Sequence, residues 1–554
     1  MQTPWYTNAV FYALDVDRFV DSNGDGIGDF PGATSKLEYL ADLGVTCLWL
    51  LPIHPAPNRD NGYDIKNYYD VDPRLGTLDD FIHFLHRAGE YGIRVIMDLV
   101  VNHTSDEHPW FQAARRDPGS LYRDFYTWSD APPPTPLDKG NIFPDQETSV
   151  WTYDEIAGAY YYHRFYHFQP ELNFHNPIVR DEVKKVLDFW LSFGIAGFRI
   201  DAASHVIESI GEEGYSHDER HDILKEIRAH VSGRKENAVL IGEADVEPEK
   251  MVAYFGDGDE LNMLFNFALN NHVYLAMARQ DARPVIEILR QLPAIPNNTQ
   301  WANFLRNLDE LDLEQLSDEE REEVLEAFAP DENMRIYGRG IRRRLAPMLG
   351  NDLKRIRLAF SLLFALPGAP VIVYGDEIGM GDDLSLEERR AVRTVMQWSK
   401  ERNAGFSTAP ANRLLLPVIS EGDFAYRNVN VAAQQEKRDS LWHFIRKLIY
   451  LRRDCPEIGT GNWHIMDVGL NEVLALRCQW KAGIVLTLHN FSAKPRAVDL
   501  DMHDQRGRRM QNLFDGHAEQ IGQQGNYHVD LEPYECRWYR VTGERAVESR
   551  GEVA

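Results

Sequence analysis

The chain has 554 residues, 44% of them hydrophobic, enough apolar material for two or three domains rather than one compact core. Its 59 basic residues against 86 acidic ones leave a net charge of −27, which argues against nucleic acid and favours a neutral or cationic ligand. No apolar run approaches the ~18 residues of a membrane span, and Met1-Gln2-Thr3-Pro4-Trp5 lacks the basic region and apolar core of a signal peptide, so a cytoplasmic protein away from membranes is expected. The four cysteines, Cys47, Cys455, Cys478 and Cys536, are too scattered for a disulfide framework or a zinc site and read as buried thiols.

From the start the pattern alternates between β-type runs and helices: residues 9–16 with a helix near 35–43, residues 46–52 with a helix near 78–89, then residues 94–103. Strands alternating with helices imply a parallel sheet. Between residues 104 and 175 the periodicity fails, with Pro132-Pro133-Pro134 and many aromatics, which marks a functional loop or an inserted domain. The alternation resumes with a helix over 176–193, a strand to Asp201, a helix near 219–231 and a strand to Glu243. Then come 261–267 with a helix at 284–292, 299–307 with a helical excursion to Leu366, a strand at 370–374 and a helix at 440–453. The acidic stretch from Leu311 to Glu326 reads as a solvated helix face. Eight strands with one large insertion after the third predict a (β/α)₈ TIM barrel over 1–103 and 176–455, with an inserted domain at 104–175. From residue 456 to 544 short alternating strands predict a C-terminal antiparallel β-sandwich, and 545–554 a tail.

Within that frame, Gly197-Phe198-Arg199-Ile200-Asp201 sets Arg199 and Asp201 on one face of a strand, with the cation favouring an ionised, nucleophilic carboxylate. Glu243 and Asp309 follow two later strands, so a barrel would bring three acids to one rim. The loop Asp21-Ser22-Asn23-Gly24-Asp25-Gly26-Ile27-Gly28-Asp29 places oxygen ligands at alternate positions with glycines allowing a tight wrap, as calcium requires, although an acidic turn without metal is the alternative. It is not an EF-hand, since its twelfth position is Gly32 and a strand precedes it.

Four ordered blocks, Asp98 to His103, Gly197 to Ala202, Gly242-Glu243-Ala244 and Phe304 to Glu310, resemble the α-amylase superfamily of retaining glycosidases and transglucosidases. Longer stretches, among them Asp21–Phe30, Gln169–Phe174, Gly338–Leu349 and Tyr374–Asp382, resemble its maltose α-glucosyltransferase branch. The resemblance implies retaining glucosyl transfer through a covalent glucosyl-aspartate and interconversion of maltose and trehalose. An α-glucosidase, a transglucosidase with another donor or acceptor, and a non-catalytic carbohydrate-binding homologue are the alternatives.

By the same resemblance Asp201 is the nucleophile, Glu243 the acid and base, and Asp309 the third acid that holds sugar hydroxyls. Arg199 beside Asp201 is expected to keep that carboxylate ionised while Glu243 stays protonated. His103 is expected to donate to the reactive glucose, Asp64 and Arg393 to close the pocket around a terminal glucose, and Tyr63 and Phe165 to offer apolar platforms. A structural Ca²⁺ is implied at Asp21, Asn23, Asp25, Asp29 and the Ile27 carbonyl, with a second site at Asn102 and Glu171, where the family usually has aspartate in place of Glu171. No organic cofactor is implied; the partner is a small α-glucoside such as maltose or trehalose, and self-association into a homo-oligomer is left open. Two departures stand out: Leu308 occupies the place of a family histidine that donates to the sugar, and Asp245-Val246 replaces the usual pair after the acid, on the side facing the leaving group. Losing one such donor costs on the order of 10²–10³ in rate.

Overall fold

In the computed structural model eight short strands close into a parallel barrel in sequence order: β1 (Phe11–Leu14), β2 (Cys47–Leu50), β3 (Arg94–Leu99), β4 (Gly197–Ile200), β5 (Val239–Gly242), β6 (Met263–Phe265), β7 (Gln300–Phe304) and β8 (Ala369–Val373). The ring closes where Phe11 of β1 lies beside Val371 of β8. Buried on both faces, these strands read as nearly continuous apolar runs instead of alternating ones. The structure describes residues 3–131, 141–143, 146–211, 214–216 and 219–543; the expected Pro132-Pro133-Pro134 run and the 545–554 tail lie outside the described residues.

Helices Leu37–Leu43, Leu78–Glu90, Pro177–Ser192, His221–Arg234, Leu353–Ala365 and Leu441–Asp454 sheathe the barrel, as the alternation predicts. One helix, Phe267–Arg279 after β6, escapes the sequence pattern. Ten of its residues are buried, so it lacks the polar face that makes a helix legible, and the recognisable amphipathic helix is the next one, Arg283–Gln291. No described helix is long and apolar enough to cross a membrane.

Two excursions rise over the C-terminal rim. After β3 a three-stranded antiparallel sheet forms from Trp128–Ser129, Trp151–Asp154 and Ala159–Tyr162. After β7 a second small sheet, Leu311–Asp312, Arg335–Ile336 and Gly340–Ile341, flanks the helix Asp318–Phe328. That helix exposes its acids and buries Val324, Leu325 and Phe328, as expected of a solvated face. The excursions meet in an aromatic cluster, with the Phe143 ring 4.5 Å from Tyr166 and 5.0 Å from Tyr337.

Beyond the last barrel helix a six-stranded antiparallel sheet faces the pair Arg496–Asp501 and Asn526–Leu531, with Leu486, Leu488, Val498 and Val529 in the core between them. It is fastened to the barrel at Ser361, whose hydroxyl accepts from Trp538 Nε1 at 2.9 Å and meets His489 at 3.0 Å. The cysteines form no disulfide; Cys47, Cys455 and Cys478 are buried and Cys536 is half-buried.

Candidate active site

Strand β4 begins at Gly197 with φ +147°, where a Cβ would fall 2.0 Å from the Val239 carbonyl oxygen, so only glycine lets β4 and β5 run this close. The close pairing sets Arg199, Asp201 and Glu243 at neighbouring strand ends. Directly after Asp201 the backbone turns left-handed at Ala202 (φ 47°), a conformation that costs a non-glycine residue about 1–2 kcal/mol. The turn aims the Ala202 N–H at Glu243 Oε2, 3.3 Å away.

Arg199 is the hub. Its Nη1 lies 2.6 Å from Asp201 Oδ1 and its Nη2 2.5 Å from Glu243 Oε2. Nη1 also reaches Asp98 at 3.1 Å, and Asp98 accepts from Trp49 Nε1 and the Tyr63 hydroxyl, each at 3.0 Å. Burial pushes Asp98, Asp201 and Glu243 each up to about 6, against the pull of Arg199. The expectation that Arg199 favours Asp201 over Glu243 is therefore corrected: the guanidinium touches both acids alike. Three carboxylates around one cation cannot all ionise cheaply, so they share protons, and the split between base and acid belongs to the cluster. Asp98 was not singled out as a site residue, although it opens the first of the four blocks.

Asp309 is held differently. Its Oδ1 accepts from Arg389 Nη1 at 2.8 Å and from Arg393 Nη2. Burial acts to raise its pKa, but Arg393 and Arg389 outweigh it and keep the carboxyl below its ordinary value. Arg389 also reaches Asp60 at 2.7 Å, and Asp60 accepts from Gln169 Nε2 at 3.0 Å.

These groups surround a cavity of about 220 Å³, lined by Tyr63, His103, Phe165, Asp201, Glu243 and Asp309 among others. That is below the ~300–1,000 Å³ of typical small-molecule sites. His103 is 2% exposed, its Nε2 lies 3.1 Å from the Tyr63 carbonyl, and burial lowers its pKa to about 4, so it is neutral near pH 7. The Phe165 ring packs 5.1 Å from it.

The expected Asp64–Arg393 closure is corrected. Neither residue lines the cavity, and both are fully buried. Asp64 accepts the Arg59 N–H at 3.0 Å, while Arg393 serves Asp309 and the Leu308 carbonyl. From these two stretches the ion pair that lines the cavity is Asp60–Arg389. Both lie in the same two stretches, Asp60-Asn61-Gly62-Tyr63-Asp64 and Arg389-Arg390-Ala391-Val392-Arg393, and in each the later charged residue turns inward.

Comparison with known proteins agrees with this geometry. The model of the α-amylase catalytic domain matches residues 15–461, and that of the sucrose hydrolase-like C-terminal domain matches 483–540. The chain belongs to the α-amylase family. It is 43% identical to a trehalose synthase from Pimelobacter sp., over 97% of this chain and 96% of that protein. It is 44% identical to a trehalose synthase of Thermus thermophilus, over 93% of this chain and 53% of that longer protein. Among solved structures the trehalulose synthase MutB from Pseudomonas mesoacidophila superposes with a TM-score of 0.77 at 26% identity, covering 98% of this chain and all of that one. An α-amylase from H. orenii gives 0.79 at 27% identity, with coverage of 98% and 100%.

Against the family's pattern, Leu308 sits in the left-handed region (φ 72°), 2% exposed, with its side chain in the apolar core and not on the cavity. The neighbouring Asn307 does line the cavity.

The Asp21 loop is built from oxygen acceptors. Asp21 accepts from the amides of Asn23 (3.1 Å), Gly24 (2.7 Å) and Gly26 (2.8 Å), Asn23 Oδ1 from Asp25 (2.8 Å), and Asp25 Oδ1 from Ile27 (2.9 Å). Each acceptor keeps further lone pairs, and an all-oxygen set wrapped by such amides suits a hard cation such as calcium. Asn102 and Glu171 do come together, but the Asn102 amide nitrogen faces Glu171 at 3.4 Å and the cation opposite is Arg164, also at 3.4 Å. The charge expected of a second calcium is supplied there by a side chain. Among the described residues the one group of three acids whose oxygens lie within 4.8 Å of one another is Asp245, Asp312 and Glu314, on the cavity wall; the three aspartates of the Asp21 loop do not approach one another so closely.

Proposed function

We propose that the protein interconverts maltose and trehalose by retaining glucosyl transfer. The observation that carries the reading is Arg199, one guanidinium that touches Asp201 at 2.6 Å and Glu243 at 2.5 Å inside a small cavity. Two carboxylates bridged by one guanidinium suit the retaining separation of about 5–5.5 Å better than the inverting one of about 6.5–9.5 Å. The trehalose synthases and the trehalulose synthase among its relatives support the same chemistry.

In this mechanism Asp201 attacks the anomeric carbon while Glu243 gives its proton to the departing glycosidic oxygen, leaving a glucosyl ester and a free glucose. The glucose turns, its anomeric hydroxyl attacks the anomeric carbon of the glucosyl ester, the bond from that carbon to Asp201 breaks, and the hydroxyl proton passes to Glu243. Asp309, ionised between Arg389 and Arg393, holds the sugar hydroxyls; His103 stands neutral on the cavity wall with its one N–H given to the Tyr63 carbonyl, and Asp60 and Arg389 close the far end. The aromatic cluster of Phe143, Tyr166 and Tyr337, of which Phe143 lines the cavity, would limit the access of water to the ester, the condition that separates isomerisation from hydrolysis.

Calcium in the Asp21 loop, held by Asp21, Asn23, Asp25, Asp29 and the Ile27 carbonyl, would be structural, fixing a loop that packs on residues 406–415 through the Asp21 N–H to the Phe406 carbonyl (2.9 Å) and the Leu415 N–H to the Gly26 carbonyl (2.9 Å). A cytoplasmic setting fits the unpaired cysteines.

The test is to incubate the protein with maltose, trehalose and sucrose separately and follow all products by NMR against Asp201→Ala. Maltose and trehalose interconverting with little free glucose is the expected result. Glucose release alone would make it a hydrolase, and turnover of sucrose only would assign a different donor.

A further inference from the structure

Leu308, in the place of the family histidine, turns its side chain into the core, while the residues on either side of it stay on the cavity. Asn307 is 8% exposed, and its Oδ1 accepts the Asp309 N–H at 3.3 Å, which fixes the amide with its amino group on the other side. Among the described residues that amino nitrogen, Nδ2, has no acceptor. It is not sealed in the interior as the unpartnered Arg199 Nε and Arg393 Nη1 are; it keeps open surface on a residue that lines the cavity.

Asp309 presents the complementary group. Both guanidiniums that hold it, those of Arg389 and Arg393, bond to Oδ1. Its Oδ2 has no donor among the described residues and is likewise open, on a side chain 17% exposed at the cavity. An ionised carboxylate only accepts, so Oδ2 takes the proton of a sugar hydroxyl and leaves that hydroxyl's oxygen with lone pairs to satisfy. A free N–H two residues away is the donor such an oxygen needs. Several neighbouring donors are already committed: the Tyr63 hydroxyl to Asp98, His103 Nε2 to the Tyr63 carbonyl, and Arg393 Nε to the Leu308 carbonyl.

We propose that Asn307 is a substrate-binding residue of the glucosyl subsite, its amide donating to the glucose hydroxyl whose proton Asp309 accepts, in the role of the donor that Leu308 cannot be. The assignment rests on the glucosyl-transfer reading above. A donor and an acceptor on one hydroxyl fix its position on the ring. A hydrogen bond that tightens as the ring distorts toward the oxocarbenium ion acts on the rate and not only on binding.

The experiment is a cycle between side chain and hydroxyl, with p-nitrophenyl α-glucoside and its monodeoxy analogues as substrates and kcat/KM as the readout. Asn307→Asp keeps the size of the side chain and the oxygen that accepts the Asp309 N–H, and removes both donors. It should lose about 10²–10³ in kcat/KM on the parent glucoside and on the analogues that keep the shared hydroxyl, and about tenfold or less on the one that lacks it. The added charge bears on every substrate alike and cancels in that comparison. Asn307→Ala, which adds no charge, should give the same pattern and replaces the aspartate variant if that one does not fold. Asp309→Asn should show its smallest loss on the same analogue. A loss equal on all the analogues, or no loss on the parent, overturns the proposal, as does coupling of Asn307 and Asp309 to different hydroxyls. Any of these with the native protein active sinks the Asn307 assignment alone, whereas no turnover of maltose or of the aryl glucoside by the native protein sinks it together with the glucosyl-transfer reading.

Discussion

On the glucosyl side of the cavity every carboxylate has a cation in contact: Asp98, Asp201 and Glu243 share Arg199, Asp309 takes Arg389 and Arg393, and Asp60 takes Arg389. On the opposite side Arg339 pairs with Asp312 and Glu314 and comes no nearer than 4.0 Å to Glu310, Asp245 accepts from Gln315, and Asp245 Oδ2 and Glu310 Oε2 have no donor. The difference teaches where each wall's order comes from. In the first each acid is fixed by a cation before any sugar arrives, the preorganisation that electrostatic catalysis needs, although Arg199 Nε and Arg393 Nη1 are buried there without an acceptor. The second carries more acid than cation, so less of its order comes from ion pairs.

The largest test of that division is Asp201→Ala. Removing a nucleophile from a cooperating set costs about 10⁴-fold or more in kcat. A 5-fluoroglucosyl fluoride probe should leave an adduct on Asp201 in the native protein and none in the variant. An adduct on any acid of the opposite wall would break the comparison outright.

Arg389→Ala comes next. It removes the cation shared by Asp60 and Asp309, and the loss of one preorganised partner is expected to cost about 10²–10³ in kcat/KM, or about 2.7–4 kcal/mol. Lysine should recover little, because an ammonium cannot fork between two carboxylates as the guanidinium does. Steady-state kinetics beside thermal unfolding decide the matter. Should Arg393→Ala prove the costlier in catalysis while Arg389→Ala is silent, Asp64 and Arg393 close the pocket after all.

How far this site could be read in advance follows from where each charge points. Asp201, Glu243, Asp309, Arg199 and His103 lie at or just after strand ends, where barrel topology dictates convergence, and all five line the cavity. Which of two nearby charges turns outward is set by backbone turns of a residue or two, so Asp60 and Arg389 were legible as part of a block and not as individuals. The same holds for Leu308, whose left-handed φ sends its side chain to the core. The barrel was legible because apolar runs alternate with amphipathic helices, and it blurred only at Phe267–Arg279, a helix with no polar face. The acidic wall had no such signature, since Asp245 comes from β5 and Asp312 and Glu314 from the excursion after β7, and only folding brings them within reach.

The Asp21 loop offers a third case, acceptors already supplied with amides that still have lone pairs to give. Calcium at about 100 times its Kd adds about 2.7 kcal/mol of stability. Scanning calorimetry should show the melting temperature rise with calcium and fall with chelator, and Asp25→Ala, an exposed change, should blunt the response. A melting temperature indifferent to calcium in the native protein would make the loop an acidic turn held by its own amides.

The smallest effect sits where the two walls meet, at Glu243. Its pKa is raised from 4.5 to about 6, burial prevailing over Arg199. A carboxyl raised on folding binds its proton more tightly in the folded state, so its contribution is present in full below the unfolded value and is lost as pH rises through about 6. Glutamine imitates the protonated form without that loss. Glu243→Gln should therefore match the native protein in stability near pH 4 and exceed it by about 2 kcal/mol above pH 7. Urea unfolding at the two pH values reads the difference, while turnover of maltose falls in the variant throughout. A variant less stable than the native protein at neutral pH would mean that Arg199 holds Glu243 ionised, and the acid would then need the sugar itself to take up its proton.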